Sequence, residues 1–429
     1  YVLGFLSYGL KYLFGLENTT NNFISLVPFL LIIFSRFLVV TATGLKREYR
    51  IVPYSKLLAL VLLHFLLTLI ARVRADLYGL PGSTLLFGLS SFAVYFIPFV
   101  ATLIMLGYAK KYHWKGHTPL QLLTTSLGVL FLANVIGYFM GLKPPGHYFE
   151  GRINLPVIGG IYPGANMTAL VFLIAFGYLR FAPNLFLKDI KYSRYATKGI
   201  MVLILFALSL YVSIGANSRI TILLILFIMV LSIKSSWLLN KKLFFVSFFT
   251  LPILLNFGYV LYFVLSLPIF ESLLQRVDYQ DIITFHGRSY LWERLFEWLF
   301  YGGEGIIFGK GFKGYYFLDL ISDIGGTWYG GSNKSHFIHL HSSFGELIIA
   351  QGIIGFIVYA MVIKSIFSYL KSAFSASVDT RILSLLFLFL LFLFQIDYFV
   401  FQDGLGSIIM GCFAAIAIIQ PIHPDQRLI

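Results

Sequence analysis

Long apolar runs separated by short polar stretches fill the chain from end to end. A hydrocarbon core of about 30 Å needs about 20 mostly apolar residues per helix. By that measure, apolar runs near residues 1–16, 22–43, 56–72, 84–108, 119–141, 165–182, 196–215, 218–233, 243–268, 343–368, 380–400 and 404–420 predict about twelve transmembrane helices. Proline is rare within these runs, and glycine and serine are scattered, as lipid-embedded helices tolerate. No internal repeat, low-complexity tract or soluble-domain boundary interrupts the pattern. Residues 1–429 therefore read as a single integral membrane domain, an all-α polytopic fold.

Composition agrees with the pattern. The 429 residues are 59% hydrophobic and 12% charged, with a mean hydropathy of +0.85. A soluble domain carries about 25% charged residues, so a water-soluble globule of this chain would lack half its polar coat. The single cysteine, Cys412, excludes an internal disulfide framework and any multi-thiolate metal site.

The net charge of +14 is largely topological. Alternate connections are basic: Lys46, Arg47, Arg50 and Lys56; Lys110, Lys111 and Lys115; then Arg180, Lys188, Lys191, Arg194 and Lys198. The series continues with Lys234, Lys241 and Lys242, with Lys364, Lys371 and Arg381, and with Arg427 in the tail. Positive residues mark cytoplasmic loops, so these connections and both termini are expected in the cytoplasm of an inner-membrane-type protein. A nucleic-acid partner is not implied.

Two connections on the opposite side stand out. The shorter, 141–165, contains Lys143, His147 and Arg152, with Asn166 at its far edge. The longer, 268–342, exceeds ordinary connection lengths, and loops of that size are usually functional. It holds Arg276 and four of the nine histidines, His286, His336, His339 and His341. Within it, residues 287–300 have helical periodicity, with Leu291, Leu295, Trp298 and Leu299 on one face, the pattern of an amphipathic interfacial helix. A glycine-rich turn, 305–312, follows.

Candidate chemistry concentrates at the same level of the membrane. Arg219 stands between two apolar runs, where an ionisable group is costly unless it meets water or an anion. Arg36, inside the second run, reads as a structural pair with a neighbouring helix. His341 falls where the long loop meets the tenth run, a position at which a neutral imidazole can take a proton. The three histidines 336, 339 and 341 raise zinc as an alternative, but no Asp, Glu or Cys joins them at ligand spacing and no His-Glu-x-x-His occurs. The expectation is no metal and no cofactor. Walker, dinucleotide and Gly-x-Ser-x-Gly signatures are also absent.

Three pieces of sequence carry a resemblance. His341-Ser342, nine residues, then Gly352-x-x-Gly355 is similar to the signature of the bacterial O-antigen ligase family and the related Wzy-type polysaccharide polymerases. Ser218-Arg219 resembles the Ser-Arg that opens a family helix, and residues 287–292 resemble its Gly-Arg-x-x-Leu-Trp segment. The resemblance implies a GT-C-like membrane glycosyltransferase that uses a glycan linked through pyrophosphate to undecaprenol. It would act at the periplasmic face, without metal, on a glycan-lipid acceptor, with inversion at the anomeric carbon. Arg219 and Arg288 would hold the pyrophosphate, helped by Arg152, Arg276 or Arg294, and His341 would be the general base, with His339 as its rival.

Between the two activities, arginine–glycine patterns favour a polymerase of repeat units. Ten residues separate Arg294 from Gly305, as the family pattern has it, whereas eleven separate Arg152 from Gly164, one too many. Transfer to lipid A–core by a ligase is the alternative, and a chain-length regulator protein is a candidate partner of the polymerase. A transporter or flippase of a lipid-linked or anionic solute is the competing class, although the two related halves expected of many transporters are not visible.

Overall fold

A computed structural model describes residues 2–10, 18–43, 55–79, 84–111, 119–143, 152–156, 161–183, 193–216, 218–245, 248, 288–301, 305–318, 340–396 and 405–419. Among them the ordered elements are helices, and no strand occurs. In chain order they are α1 (Val2–Leu10), α2 (Asn18–Thr43), α3 (Lys56–Leu77), α4 (Leu85–Lys111), α5 (Pro119–Phe139), α6 (Ile161–Phe181) and α7 (Ser193–Ala216). Then follow α8 (Arg219–Ile233), α9 (Ser235–Leu238), α10 (Lys241–Phe245), α11 (Arg288–Phe300), a 3-10 turn (Gly314–Leu318), α12 (Ser343–Ala373), α13 (Val378–Ile396) and α14 (Leu405–Ile419).

Seven of these helices are long and apolar enough to cross a membrane, and three shorter apolar stretches lie at Phe23–Leu38, Thr221–Ile233 and Leu405–Ile419. The chain is a multi-pass helical membrane protein. Ten of the predicted runs coincide with these helices to within a few residues. The first predicted run is helical over Val2–Leu10, and most of the ninth, beyond residue 245, lies outside the described residues.

Burial explains which helices sit where. Every residue of α14 is buried, as is α13 from Ile382 to Gln395. A helix apolar on all sides belongs in the centre of such a bundle. The outer helices instead turn large apolar groups outward: Leu31, Phe34 and Phe37 on α2, and Ile200, Leu203 and Ile214 on α7, are all exposed. A soluble monomer does not present apolar surface on that scale, whereas lipid covers it. Helix α2 packs on α4, α4 on α14, α3 on α12, and α6 on α7, while α13 touches α6, α8 and α12.

Several polar groups of the spans are tied down. Arg36 donates to the Tyr108 hydroxyl of α4 and stacks on its ring, the neighbouring-helix pairing expected of it. Lys110 donates to the Ile419 carbonyl at 2.8 Å, occupying an acceptor at the end of α14 that would otherwise lack a donor. Serines begin two of the long helices, Ser55 accepting from Leu58 N–H at 3.1 Å and Ser342 from Gly345 N–H at 3.2 Å.

Candidate functional site

Helix α12 is broken. At Gly352 the backbone turns to φ 69°, ψ −167°, a conformation open essentially to glycine alone. A break in an apolar helix frees carbonyls before it and amides after it, and these need partners away from water. The glycine-rich segment 305–311 supplies them. Lys310 and Gly311 N–H donate to the Ile349 and Ala350 carbonyls at 2.7 and 3.1 Å. Ile353 and Ile354 N–H donate to the Ile306 and Ile307 carbonyls at 2.9 and 3.2 Å.

Such close backbone approach has a steric condition. A Cβ on Gly352 would lie 2.5 Å from Gly309 N and Ile306 O, and one on Gly309 (φ 75°) would lie 2.5 Å from Gln351 N. Gly355 is needed for a different reason: the Gln351 side chain folds over it, with Oε1 2.7 Å from where a Cβ would be. The Gly-x-x-Gly spacing in the sequence is therefore a steric requirement of this break.

The same loop is anchored to α3. Phe312 N–H donates to the Ala71 carbonyl at 2.8 Å, and Arg74 donates to the Phe308 carbonyl at 3.0 Å. The Arg72 guanidinium lies 3.9 Å over the Phe312 ring and donates to Ser91 Oγ of α4. Arg72 is only 4% exposed. It closes a polar stripe on α3: Thr68 Oγ1 donates to the His64 carbonyl and accepts from Gln351 Nε2, each at 2.9 Å, and His64 Nε2 lies 3.0 Å from the Tyr95 hydroxyl. The sequence reading did not single out this stripe. Its signal is present, since His64, Thr68 and Arg72 recur every four residues, which is one helical face.

His341 sits at the head of α12. Its backbone is left-handed, φ 48°, which costs a residue with a Cβ roughly 1–2 kcal/mol. Leu340, just before it, is held at both ends of its own peptide groups. Its N–H donates to Glu346 Oε1 at 2.9 Å, and its carbonyl accepts from the Trp292 indole N–H at 2.8 Å. Ser342, just after it, begins the helix. The turn that presents His341 is thus over-determined by its neighbours.

Trp292 belongs to α11, so this bond joins the helix opened by Arg288 to the His341 turn. Leu291, Trp292 and Leu295 are the buried residues of α11, whereas Trp298 and Leu299 are half-buried. The amphipathic helix therefore docks into protein through Trp292 as well as through its predicted apolar face, and the indole bond to Leu340 fixes that added contact. Trp298 Nε1 is buried with no partner among the described residues. Trp292→Phe leaves the buried Leu340 carbonyl unsatisfied and is expected to cost about 1–3 kcal/mol. Trp298→Phe removes no bond and should leave the melting temperature of the purified protein unchanged, so parallel melts of the two variants check the assignment.

The backbone positions of Arg152 and Arg219 are set by other helices. Arg219 is the first residue of α8, preceded by the buried Ser218, whose hydroxyl lies 2.8 Å from Thr221 Oγ1. Thr221 in turn donates to Asn166 Oδ1 on α6 at 3.0 Å. Segment 152–156 of the shorter loop crosses beside it, with Ile153 N–H donating to the Gly215 carbonyl at 2.9 Å and Leu155 packed against Gly164. Arg152 thus comes from a segment bonded to α7, the helix that precedes Arg219.

Arg294 lies on the exposed side of α11, in an ion pair with Glu297 at 2.8 Å. The side chains of Arg219 and Arg288, and all of Arg276, His286, His336 and His339, lie outside the described residues. Among the described residues no three His, Cys, Asp or Glu groups gather as a metal site. The segments that carry Arg152 and Arg219 lie by α6, α7 and α8, those that carry Arg288 and His341 by α11 and α12, and α13 packs against α6, α8 and α12. No known protein family and no curated protein matches the chain.

Proposed function

We propose that this chain is a metal-independent, inverting membrane glycosyltransferase that joins undecaprenyl-pyrophosphate-linked repeat units at the periplasmic face of the bacterial inner membrane. It has about twelve spans in a GT-C-like arrangement, with both termini cytoplasmic. Transfer to lipid A–core, as by an O-antigen ligase, is the alternative acceptor. One observation carries the reading: the helix that begins at Arg288 is bonded through Trp292 to the turn that strains His341. Two motif pieces separated by some fifty residues of chain are thereby coupled, and residues held in strained backbone conformations by their surroundings cluster at working sites.

The chemistry needs few parts. Pyrophosphate is a good leaving group, and planar guanidiniums can hold its charge bidentately where other transferases use a divalent cation. Arg219 and Arg288 hold the diphosphate, with Arg152, Arg276 or Arg294 assisting. His341 accepts the proton of the acceptor hydroxyl as that oxygen attacks the anomeric carbon; His339 is the alternative base. The bond to the diphosphate breaks with its electron pair, which leaves on the pyrophosphate. A transporter reading draws on the broken helix α12, yet the backbone groups freed around Gly352 are occupied by residues 305–311 and do not offer themselves to a solute.

The test uses the full chain in liposomes with the lipid-pyrophosphate repeat unit and EDTA. Longer lipid-linked glycans are the expected product; failure with both lipid-linked and lipid A–core acceptors overturns the assignment. Arg288→Lys preserves charge and removes the planar fork, so the expected loss of turnover is roughly 10- to 100-fold. Wild-type turnover in that variant would exclude bidentate recognition by Arg288.

A further inference from the structure

A buried carboxylate stands behind the His341 turn. Glu346 is 1% exposed, on the first turn of α12, and its Oε1 reaches back past Ser342 and His341 to accept the Leu340 N–H. Burying a carboxylate away from water costs several kcal/mol, by order of magnitude, and a stable bundle could have used an apolar residue or an amide here. The helix N-terminus and one backbone N–H offset part of that cost. A cation that forms close by during turnover would make use of the rest.

The surroundings are suited to holding a charge there. The Tyr315 phenol is pushed well above its ordinary value, first by burial, then by the Glu346 charge and by Tyr316, so it stays neutral. Tyr316 is raised in the same direction by burial. On α11 the described charges, Glu293, Arg294 and Glu297, lie on the more exposed side, and Arg294 pairs with Glu297. On α3, Arg72 is engaged by Ser91 and Phe312, and Arg74 by the Phe308 carbonyl and Tyr78.

We propose that Glu346 is the positioning residue of His341: it fixes the left-handed turn through Leu340 and supplies the counter-charge to the imidazolium formed when His341 takes the acceptor proton. This rests on the proposed function for its role in turnover, but not for its electrostatics. Glu346→Gln keeps an oxygen for the Leu340 N–H and removes the charge; Glu346→Ala removes both. A structural cap would be rescued by glutamine, whereas a counter-charge would not.

The experiment titrates His341 in the purified full chain by its rate of modification with diethyl pyrocarbonate, which attacks the neutral ring, read at that residue by mass spectrometry across pH. A neighbouring carboxylate favours the protonated ring, so its removal should lower the His341 pKa by about one unit or more in Glu346→Gln. The acid limb of turnover should move to lower pH with it. An unchanged His341 titration in Glu346→Gln overturns the proposal. Should that variant fail to fold, the wild-type titration decides, because the proposal requires a pKa above the ordinary value of about 6.5 and a value at or below it is the contrary result. A shifted titration without any glycan transfer would sink the proposed function and leave the Glu346–His341 pairing standing; transfer with an unmoved titration would do the reverse.

Discussion

Gly352→Ala is expected to disrupt the protein more than any other single methyl group added to it. The added Cβ must adopt φ 69° and would meet Ile306 O, Ile307 O and Gly309 N, all backbone atoms held in the ladder between residues 305–311 and α12. The left-handed conformation alone costs roughly 1–2 kcal/mol. Relieving the clash means withdrawing the loop, which leaves the Ile349 and Ala350 carbonyls and the Ile353 and Ile354 amides without partners. Each buried group left unsatisfied costs about 1–3 kcal/mol in a protein interior, and lipid offers no water to replace it. The predicted outcome is loss of folded protein after detergent extraction, measured by monodisperse yield and thermal melting. Ordinary yield and an unshifted melt would show that α12 does not need its break.

His341→Gly separates function from stability. Glycine adopts φ 48° freely, so the substitution relieves strain and should leave the melting temperature equal to or above wild type. The imidazole is gone, and losing a general base lowers turnover by about 100- to 10,000-fold. Donor binding, which falls to guanidiniums on other segments, should persist. His341→Ala should lose the same activity while keeping the strain. A histidine whose removal stabilises the chain and silences it is the signature of a residue kept against its own backbone preference. Wild-type transfer in either variant would remove His341 from the mechanism.

Much of the architecture was legible in the sequence because lipid imposes a simple rule. Apolar length marks each span, and the helices α2 to α8 and α12 to α14 begin and end close to the runs that predicted them. The Ser-Arg and His-Ser segments were placed correctly at helix starts, at Arg219 and Ser343. Three features escaped. The break in α12 is written as two glycines in an apolar run, and their meaning depends on a partner loop some forty residues away. Trp292 lies off the apolar face that the periodicity marks, and its burial goes with a bond to the Leu340 carbonyl, 48 residues away in the chain. Arg72 and Glu346 look like ordinary charges near helix ends until burial shows one stacked on Phe312 and the other bonded to Leu340. Periodicity reports faces, and it is silent about which distant segment a face will meet.

At the centre of the proposed function stands a direct displacement, in which the acceptor oxygen activated by His341 expels a diphosphate held by arginines with no covalent sugar–enzyme stage. The anomeric configuration of the linkage made by the purified chain tests that claim most directly, read by NMR of the product against the donor of known configuration. The account predicts inversion at the transferred carbon. Retention of configuration would require an intermediate that this arrangement does not provide, and would contradict it.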